Sequence, residues 1–302
     1  MTDHISKTHG ANLRGSAFMV AAMAAFAIED AFLKAASVSL PVAQVLILFG
    51  AGGAALFALV AVMRGEVLWS RDVASRPMRI RVGFEISGRL FYVLAIALTP
   101  LSSATVILQA TPIVVVLGAA IVFGERVGWR RWAAIGLGLI GVIIVLRPGA
   151  DGFSLLSLLA VLGMLGFAGR DLASRAAPAS ISPVLLGFYG FLSVIVAGAL
   201  YAIWEARAFV WPAPDIAFAM AGAVVSGVAA YAALMVAMRT GEVSAVTPFR
   251  YTRLLFGGAL GILIFDETLA PRMVIGGGLI VLSGLFILWR GSPRRQDGLG
   301  GS

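Results

Sequence analysis

Phe26-Ala-Ile-Glu-Asp-Ala-Phe-Leu-Lys34 has a counterpart 141 residues later in Phe167-Ala-Gly-Arg-Asp-Leu-Ala-Ser-Arg175. Both begin Phe-Ala, carry an aspartate at the fifth position and end on a base. The correspondence continues outward from this pair. Ser87-Gly88 with Tyr92 returns as Ser226-Gly227 with Tyr231, Phe123-Gly124-Glu125 returns as Phe265-Asp266-Glu267, and Gly-Leu-Ile at 138–140 returns at 278–280. Offsets of 139 to 142 differ only as loop lengths drift. One period across a whole chain means one unit duplicated. If each unit holds an odd number of membrane spans, the second copy lies inverted, an arrangement found in secondary transporters with sites where the repeats meet.

Composition places the chain in a bilayer. Apolar residues make up 60% and charged ones 13%, and the mean hydropathy is +0.97. A soluble domain is near half apolar and a quarter charged, so too little polar surface exists here to cover a globule in water. Within hydrocarbon only helices or closed barrels satisfy their backbones, and apolar stretches near 20 residues fit helices rather than barrel strands. Cysteine is absent, and the two histidines, His4 and His9, precede the first apolar stretch. No histidine-based metal site, general base or proton relay is therefore available within the spans. That stretch is too long for a signal peptide and lacks a small-residue cleavage site, so it reads as a retained span.

Ten apolar segments are predicted, at 13–36, 42–63, 78–99, 102–123, 130–147, 154–176, 182–204, 215–239, 243–265 and 272–290. The predicted fold is an all-α integral membrane protein of ten transmembrane helices in two inverted five-helix repeats, 13–149 and 150–290. Tails at 1–12 and 291–302 flank them, the last ending in a linker-like Gly298-Leu-Gly-Gly-Ser302. With the N-terminus in the cytoplasm, 15 of the 23 basic residues lie on the cytoplasmic side. Only Arg147, Arg207 and Arg272 lie opposite, as the positive-inside rule requires. Both termini are then cytoplasmic, and the net charge of +8 reflects topology and anionic membrane lipid; no nucleic acid partner is called for.

Charges inside spans are costly and point to function by default. In span three Glu85, Arg89 and Tyr92 share a face, with a Glu85–Arg89 pair expected along the helix. Tyr231 is the counterpart of Tyr92, and the two are expected to face one another across a pseudo-two-fold axis. Asp30–Lys34 and Asp171–Arg175 are expected as structural i, i+4 pairs. Position 29/170 holds Glu29 in one copy and Arg170 in the other, suited to meeting in the middle, to holding the two ends of a zwitterion, or to snorkelling. Gln109, before Thr111-Pro112, corresponds to Tyr251, after Pro248-Phe249-Arg250. Prolines here interrupt spans four and nine, and such interruptions border substrate sites. An arginine beside an aromatic, as at Arg250-Tyr251, can hold a carboxylate and a ring together. Gly136-Leu-Gly138-Leu-Ile-Gly141 matches a dinucleotide fingerprint but lies mid-helix with no preceding strand, so it reads as a close-packing face. Glycine faces serve internal packing and dimers alike, leaving the oligomeric state open.

Together, the ten-span inverted repeat, Phe123-Gly124-Glu125-Arg126, Phe265-Asp266-Glu267, Arg147-Pro148-Gly149 and Pro248-Phe249-Arg250-Tyr251-Thr252-Arg253-Leu254 resemble the EamA-type exporters of the drug/metabolite transporter superfamily. The resemblance spans 13–290 and extends to the aromatic amino-acid exporters among them. It implies export of amino acids, other metabolites or drugs without ATP. Where relatives often carry an arginine in span two, this chain has Phe49-Gly50, a loss that argues against strongly anionic substrates if that arginine binds anionic groups in relatives. The expected function is an inner-membrane exporter of amino acids or similar amphipathic metabolites, not an enzyme, with no cofactor and no metal. Spans one, three, four, six, eight and nine would enclose the cavity. Phe26, Glu29, Arg89, Tyr92, Gln109, Arg170, Tyr231, Arg250 and Tyr251 are its candidate substrate contacts. Uptake or exchange of a bulkier metabolite or drug cation is the alternative. A lipid-modifying enzyme is disfavoured for want of an activated nucleophile or metal cluster.

Overall fold

The computed structural model describes residues 2–122, 128–146, 155–178, 180–240 and 247–291. Phe123-Gly124-Glu125-Arg126, Arg147-Pro148-Gly149 and the C-terminal tail beyond Gly291 lie outside the described residues. Among those described there is no strand. The helices are α1 (Thr2–Ser39), α2 (Val42–Met63), α3 (Arg76–Leu98), α4 (Leu101–Leu108), α5 (Thr111–Val122), α6 (Trp129–Leu146), α7 (Ser157–Arg175), α8 (Pro183–Glu205), α9 (Pro214–Thr240), α10 (Thr252–Phe265) and α11 (Pro271–Gly291). Short 3₁₀ turns occupy Arg71–Ala74 and Thr247–Tyr251. Six helical stretches are long and apolar enough to cross a membrane: Gly10–Ser39, Val42–Met63, Leu101–Val122, Ser157–Ser174, Pro183–Glu205 and Pro214–Ala237. Helix α3 carries too many charges to qualify, among them Arg79, Arg81, Glu85 and Arg89. Helix α1 already begins at Thr2, so the expected N-terminal tail is helical and continuous with the first span.

The break within the fourth predicted span has a covalent origin. Pro112 has no N–H to give the Leu108 carbonyl four residues earlier. Thr111 Oγ1 takes that carbonyl instead, at 2.5 Å, while the Gln109 and Ala110 amides tighten onto Val106 and Ile107. The helix therefore ends at Leu108 and restarts at Thr111. In the second half, Thr247–Tyr251 forms a 3₁₀ turn ahead of α10.

Helix partners reveal the internal symmetry. The principal pairs are α1 with α9, α3 with α7, α2 with α8 and α6 with α11. Exchanging the halves, so that α1 becomes α7, α2 becomes α8, α3 becomes α9 and α6 becomes α11, returns the same set. Each joins one half to the other. Both ends of the α2–α8 pair show the direction. Glu205, closing α8, accepts from the Val42 and Ala43 amides that open α2, at 3.0 and 2.9 Å. Glu66, just past α2, accepts from Ser182, the N-cap of α8. Equivalent helices thus run antiparallel, each carboxylate sitting at the positive N-terminus of the other helix. Exposed Trp69 lies near the Glu66 end, and Trp204 and Trp211 near the Glu205 end, as aromatic belts at two interfaces require.

The glycine face expected at 136–141 packs as anticipated for Gly138 and Gly141, while Gly136 faces open space. A Cβ on Gly141 would lie 2.7 Å from the Gly276 carbonyl oxygen, and one on Gly276 would lie 2.6 Å from that of Gly141. Both are backbone atoms that cannot move aside. Gly141→Val should therefore destabilise the α6–α11 pair by about 1–3 kcal/mol, read as a lowered melting temperature in detergent. Gly136→Ala, with nothing within 4 Å, should leave that temperature unchanged or raise it.

Candidate functional site

Two small chambers lie between the halves, of about 70 and 50 Å³. At roughly 10–15 Å³ per water, the larger holds about five. They share Phe26 of α1, Arg89 of α3, Arg170 of α7 and Leu234 of α9. The first is completed by Tyr92, by Gln109 and Pro112 at the α4–α5 break, by Phe167, and by Arg250, Tyr251 and Arg253 at the start of α10. The second is completed by Arg81, Glu85, Tyr231 and residues of α8, including Gly190 and Phe191. The two interrupted helices meet directly: Gln109 Nε2 donates to the Arg250 carbonyl at 3.2 Å. All six expected helices contribute, joined by α8.

Eight of the nine candidate residues line one chamber or the other. Glu29 does not; it lies behind Arg89, whose Nη1 donates to its Oε1 at 2.6 Å. Tyr92 and Tyr231 line different chambers and do not face one another. Tyr92 is buried, donates to Asp30 at 3.0 Å and packs edge-on against Phe167. Tyr231 packs edge-on against Phe57.

Two of the expected i, i+4 pairs, Glu85–Arg89 and Asp30–Lys34, do not form, and other partners take their place. Glu85 does not hold Arg89. It lies 3.4 Å from both Arg81 and Arg170. Asp30 does not hold Lys34 but accepts from Arg253 of α10 at 2.6 Å. Lys34 instead donates to the Ile96 and Thr99 carbonyls ending α3, at 3.1 and 2.8 Å, and lies 3.7 Å from Glu267. Glu267 in turn accepts from the Leu101 and Ser102 amides opening α4, at 2.6 and 2.9 Å. The left-handed backbone at Asp266, φ +51°, turns Glu267 back toward that helix end. Glu29 and Arg170 do not meet: Arg170 donates to Asp171 at 2.9 and 2.8 Å. The side chain of Arg175 lies outside the described residues. The pairs that run between helices share one physical reason. Solvated i, i+4 pairs gain only a few tenths of a kcal/mol, whereas a charge away from water needs whichever partner fully desolvates with it.

Arg81 is one of the 15 basic residues that charge counting places on the cytoplasmic side. It is buried, at 2% exposure, and donates to Ser174 Oγ and the Leu186 carbonyl at 3.1 and 3.2 Å. Its position one turn before Glu85 was the available signal. The arginines also rest on aromatic faces. Phe167 lies between Arg89 and Arg170, at 5.8 and 4.8 Å from its centroid, and Arg253 covers Phe26 at 5.0 Å. Phe49 stands where the resemblance places an arginine in relatives, and its ring backs Arg89 at 5.2 Å.

With this geometry the chain can be compared with known proteins. Residues 13–147 and 155–289 each match the EamA-like transporter family. The chain belongs to that family and is a multi-pass membrane protein of the drug/metabolite transporter superfamily. The pseudopaline exporter CntI of Pseudomonas aeruginosa is 28% identical over 275 residues, covering 89% of this chain and 94% of the relative. A riboflavin transporter of Vibrio cholerae is 26% identical over 223 residues, covering 72% and 73%. An S-adenosylmethionine uptake transporter of Rickettsia bellii is 25% identical over 205 residues, covering 67% and 68%. A solved crystal structure superposes with a TM-score of 0.60 at 20% identity, covering 93% of this chain and 98% of that one, and so shares the fold.

The Glu29–Arg89 pair should dominate a double-mutant cycle. Glu29→Gln alone leaves a buried guanidinium unpaired and should cost about 3–5 kcal/mol. Adding Arg89→Gln should recover part of that loss, with a coupling of roughly 0.5–3 kcal/mol. Detergent unfolding of the four proteins reads it directly.

Proposed function

We propose that this chain is a bacterial inner-membrane secondary transporter. Ten spans in two inverted five-helix repeats, over 13–149 and 150–290, carry small amphipathic metabolites through the central chambers by alternating access. Both termini face the cytoplasm. The observation supporting this most strongly is the meeting of the interrupted α4–α5 and Thr247–Tyr251 segments at Gln109–Arg250, beside buried polar chambers shared by the two halves. Non-helical backbone at membrane depth is tolerated where it lines a cavity or is buried in protein. The antiparallel pairing of equivalent helices supplies two related packings between which the halves can rock.

The first cargo to test is amino acids with apolar or aromatic side chains, moved outward. Arg89, Arg170 and Arg250 orient the charged end, and Phe26, Tyr92, Tyr231 and Tyr251 hold the apolar part, with Gln109 fixing the backbone at Arg250. Glu29 acts through Arg89. Bulkier cargo is the second reading, favoured by relatives named for riboflavin, pseudopaline and S-adenosylmethionine. The two chambers share four lining residues, so movement of those side chains would merge them into one larger site.

Counterflow in proteoliposomes tests the reading. Labelled aromatic or aliphatic amino acids should enter faster than into protein-free vesicles, in exchange for unlabelled substrate inside. Failure of folded protein to exchange any amino acid would reject that cargo and leave the bulkier class. Tyr231→Ala should lower exchange at least about tenfold, about 1.4 kcal/mol in barrier, with little change in melting temperature. Tyr92→Phe, which keeps the packing and removes the hydrogen bond to Asp30, should lower both.

A further inference from the structure

We infer that the transported species is an organic anion with an apolar or aromatic body, taken at Arg250 and Tyr251; this rests on the transport reading above. The inference follows from a charge balance. Five arginines, Arg81, Arg89, Arg170, Arg250 and Arg253, line the two chambers. Four carboxylates answer them: Glu29, Asp30, Glu85 and Asp171. Three arginines have a tight partner, Arg89 on Glu29 at 2.6 Å, Arg253 on Asp30 at 2.6 Å and Arg170 on Asp171 at 2.8 Å. Arg81 shares Glu85 with Arg170 and is further held by Ser174 and Leu186. Among the described residues Arg250 is left with the longest contact of the five, to a carboxylate that Arg170 already holds. Its contact with Asp171 is 3.8 Å, beyond hydrogen-bond length, and its side chain is 30% exposed. A surplus guanidinium at membrane depth is costly unless an anion joins it.

Two further features aim the site at such an anion. The Tyr251 hydroxyl is buried with no hydrogen-bond partner in a residue 6% exposed that lines the first chamber. It stands next in sequence to Arg250, whose carbonyl is pinned by Gln109. Both residues line the first chamber, and a hydroxyl and a guanidinium there are donors of the kind a carboxylate, sulfonate or phosphate takes. Meanwhile, among the described residues no aspartate or glutamate lines the first chamber. Glu85 lines the second chamber instead, so in the first a substrate ammonium would meet guanidinium groups and no counter-charge. Phe26, Leu108 and Phe167 form the apolar walls. The order of preference is thus organic anion over zwitterion over cation, which narrows the amino-acid reading to cargo without a free ammonium.

A charge series on one ring tests this. Proteoliposomes are loaded with phenylphosphonate, phenylalanine and phenyltrimethylammonium, together with a cell metabolite mixture, and efflux is followed by mass spectrometry against protein-free vesicles. We expect the phosphonate and other anions bearing apolar groups to leave fastest. Arg250→Gln should slow them at least tenfold and abolish the preference over phenylalanine, while Arg250→Lys keeps the preference at reduced flux. Both variants should match the parent in helix content and size-exclusion profile. Efflux led by phenylalanine, other zwitterions or the cation overturns the inference and leaves transport standing. So does unchanged anion efflux in Arg250→Gln. If nothing leaves faster than from protein-free vesicles, although the protein is folded, the transport reading falls and this one with it.

Discussion

Nearly everything in this molecule answers to one constraint: a charge without water must find its counter-charge inside the protein, and most of those partners come from another helix. Glu29–Arg89 ties α1 to α3, Asp30–Arg253 ties α1 to α10, and Glu85–Arg170 ties α3 to α7. Such pairs contribute little net stability against an apolar alternative, but removing one partner is severe. They therefore act as register marks that fix which helix faces which. The chambers are the space that these pairs enclose.

The helix ends obey the same constraint. Free amides at an N-terminus and free carbonyls at a C-terminus need partners, and here other helices supply them. Glu205 and Glu267 serve the openings of α2 and α4, and Lys34 serves the end of α3. Because Glu66 and Glu205 occupy equivalent places at opposite ends of the α2–α8 pair, the duplicated sequence yields a reciprocal clasp.

Much of the architecture was legible. The duplicated Phe-Ala-x-x-Asp stretches revealed the two halves, and Pro112 and Pro248 marked the interruptions that meet at the chamber. Eight of the nine candidates line a chamber, and seven of those are polar residues at mid-span, conspicuous in apolar surroundings. The partners were not legible. Spacing within one helix suggested Glu85 with Arg89 and Asp30 with Lys34, and both suggestions failed. Glu85 keeps an i, i+4 partner, but it is Arg81 and it is shared with Arg170 of α7, while Asp30 is taken by Arg253 of α10; spacing along one helix does not show what a neighbouring helix brings. Arg81 was missed for a related reason: counting charges by loop assigns a terminal arginine to the rim and ignores that α8 covers it.

By itself, then, the sequence determined the solvent, the duplication and the places where helices must break, since these depend on composition, period and proline chemistry along the chain. Only the tertiary structure decided which charges neutralise one another, that Glu29 stands behind Arg89, and that Arg250 is left as the surplus cation. Those outcomes depend on distances of a few ångströms between helices far apart in sequence, and electrostatic energy in a medium of low dielectric is governed by such distances.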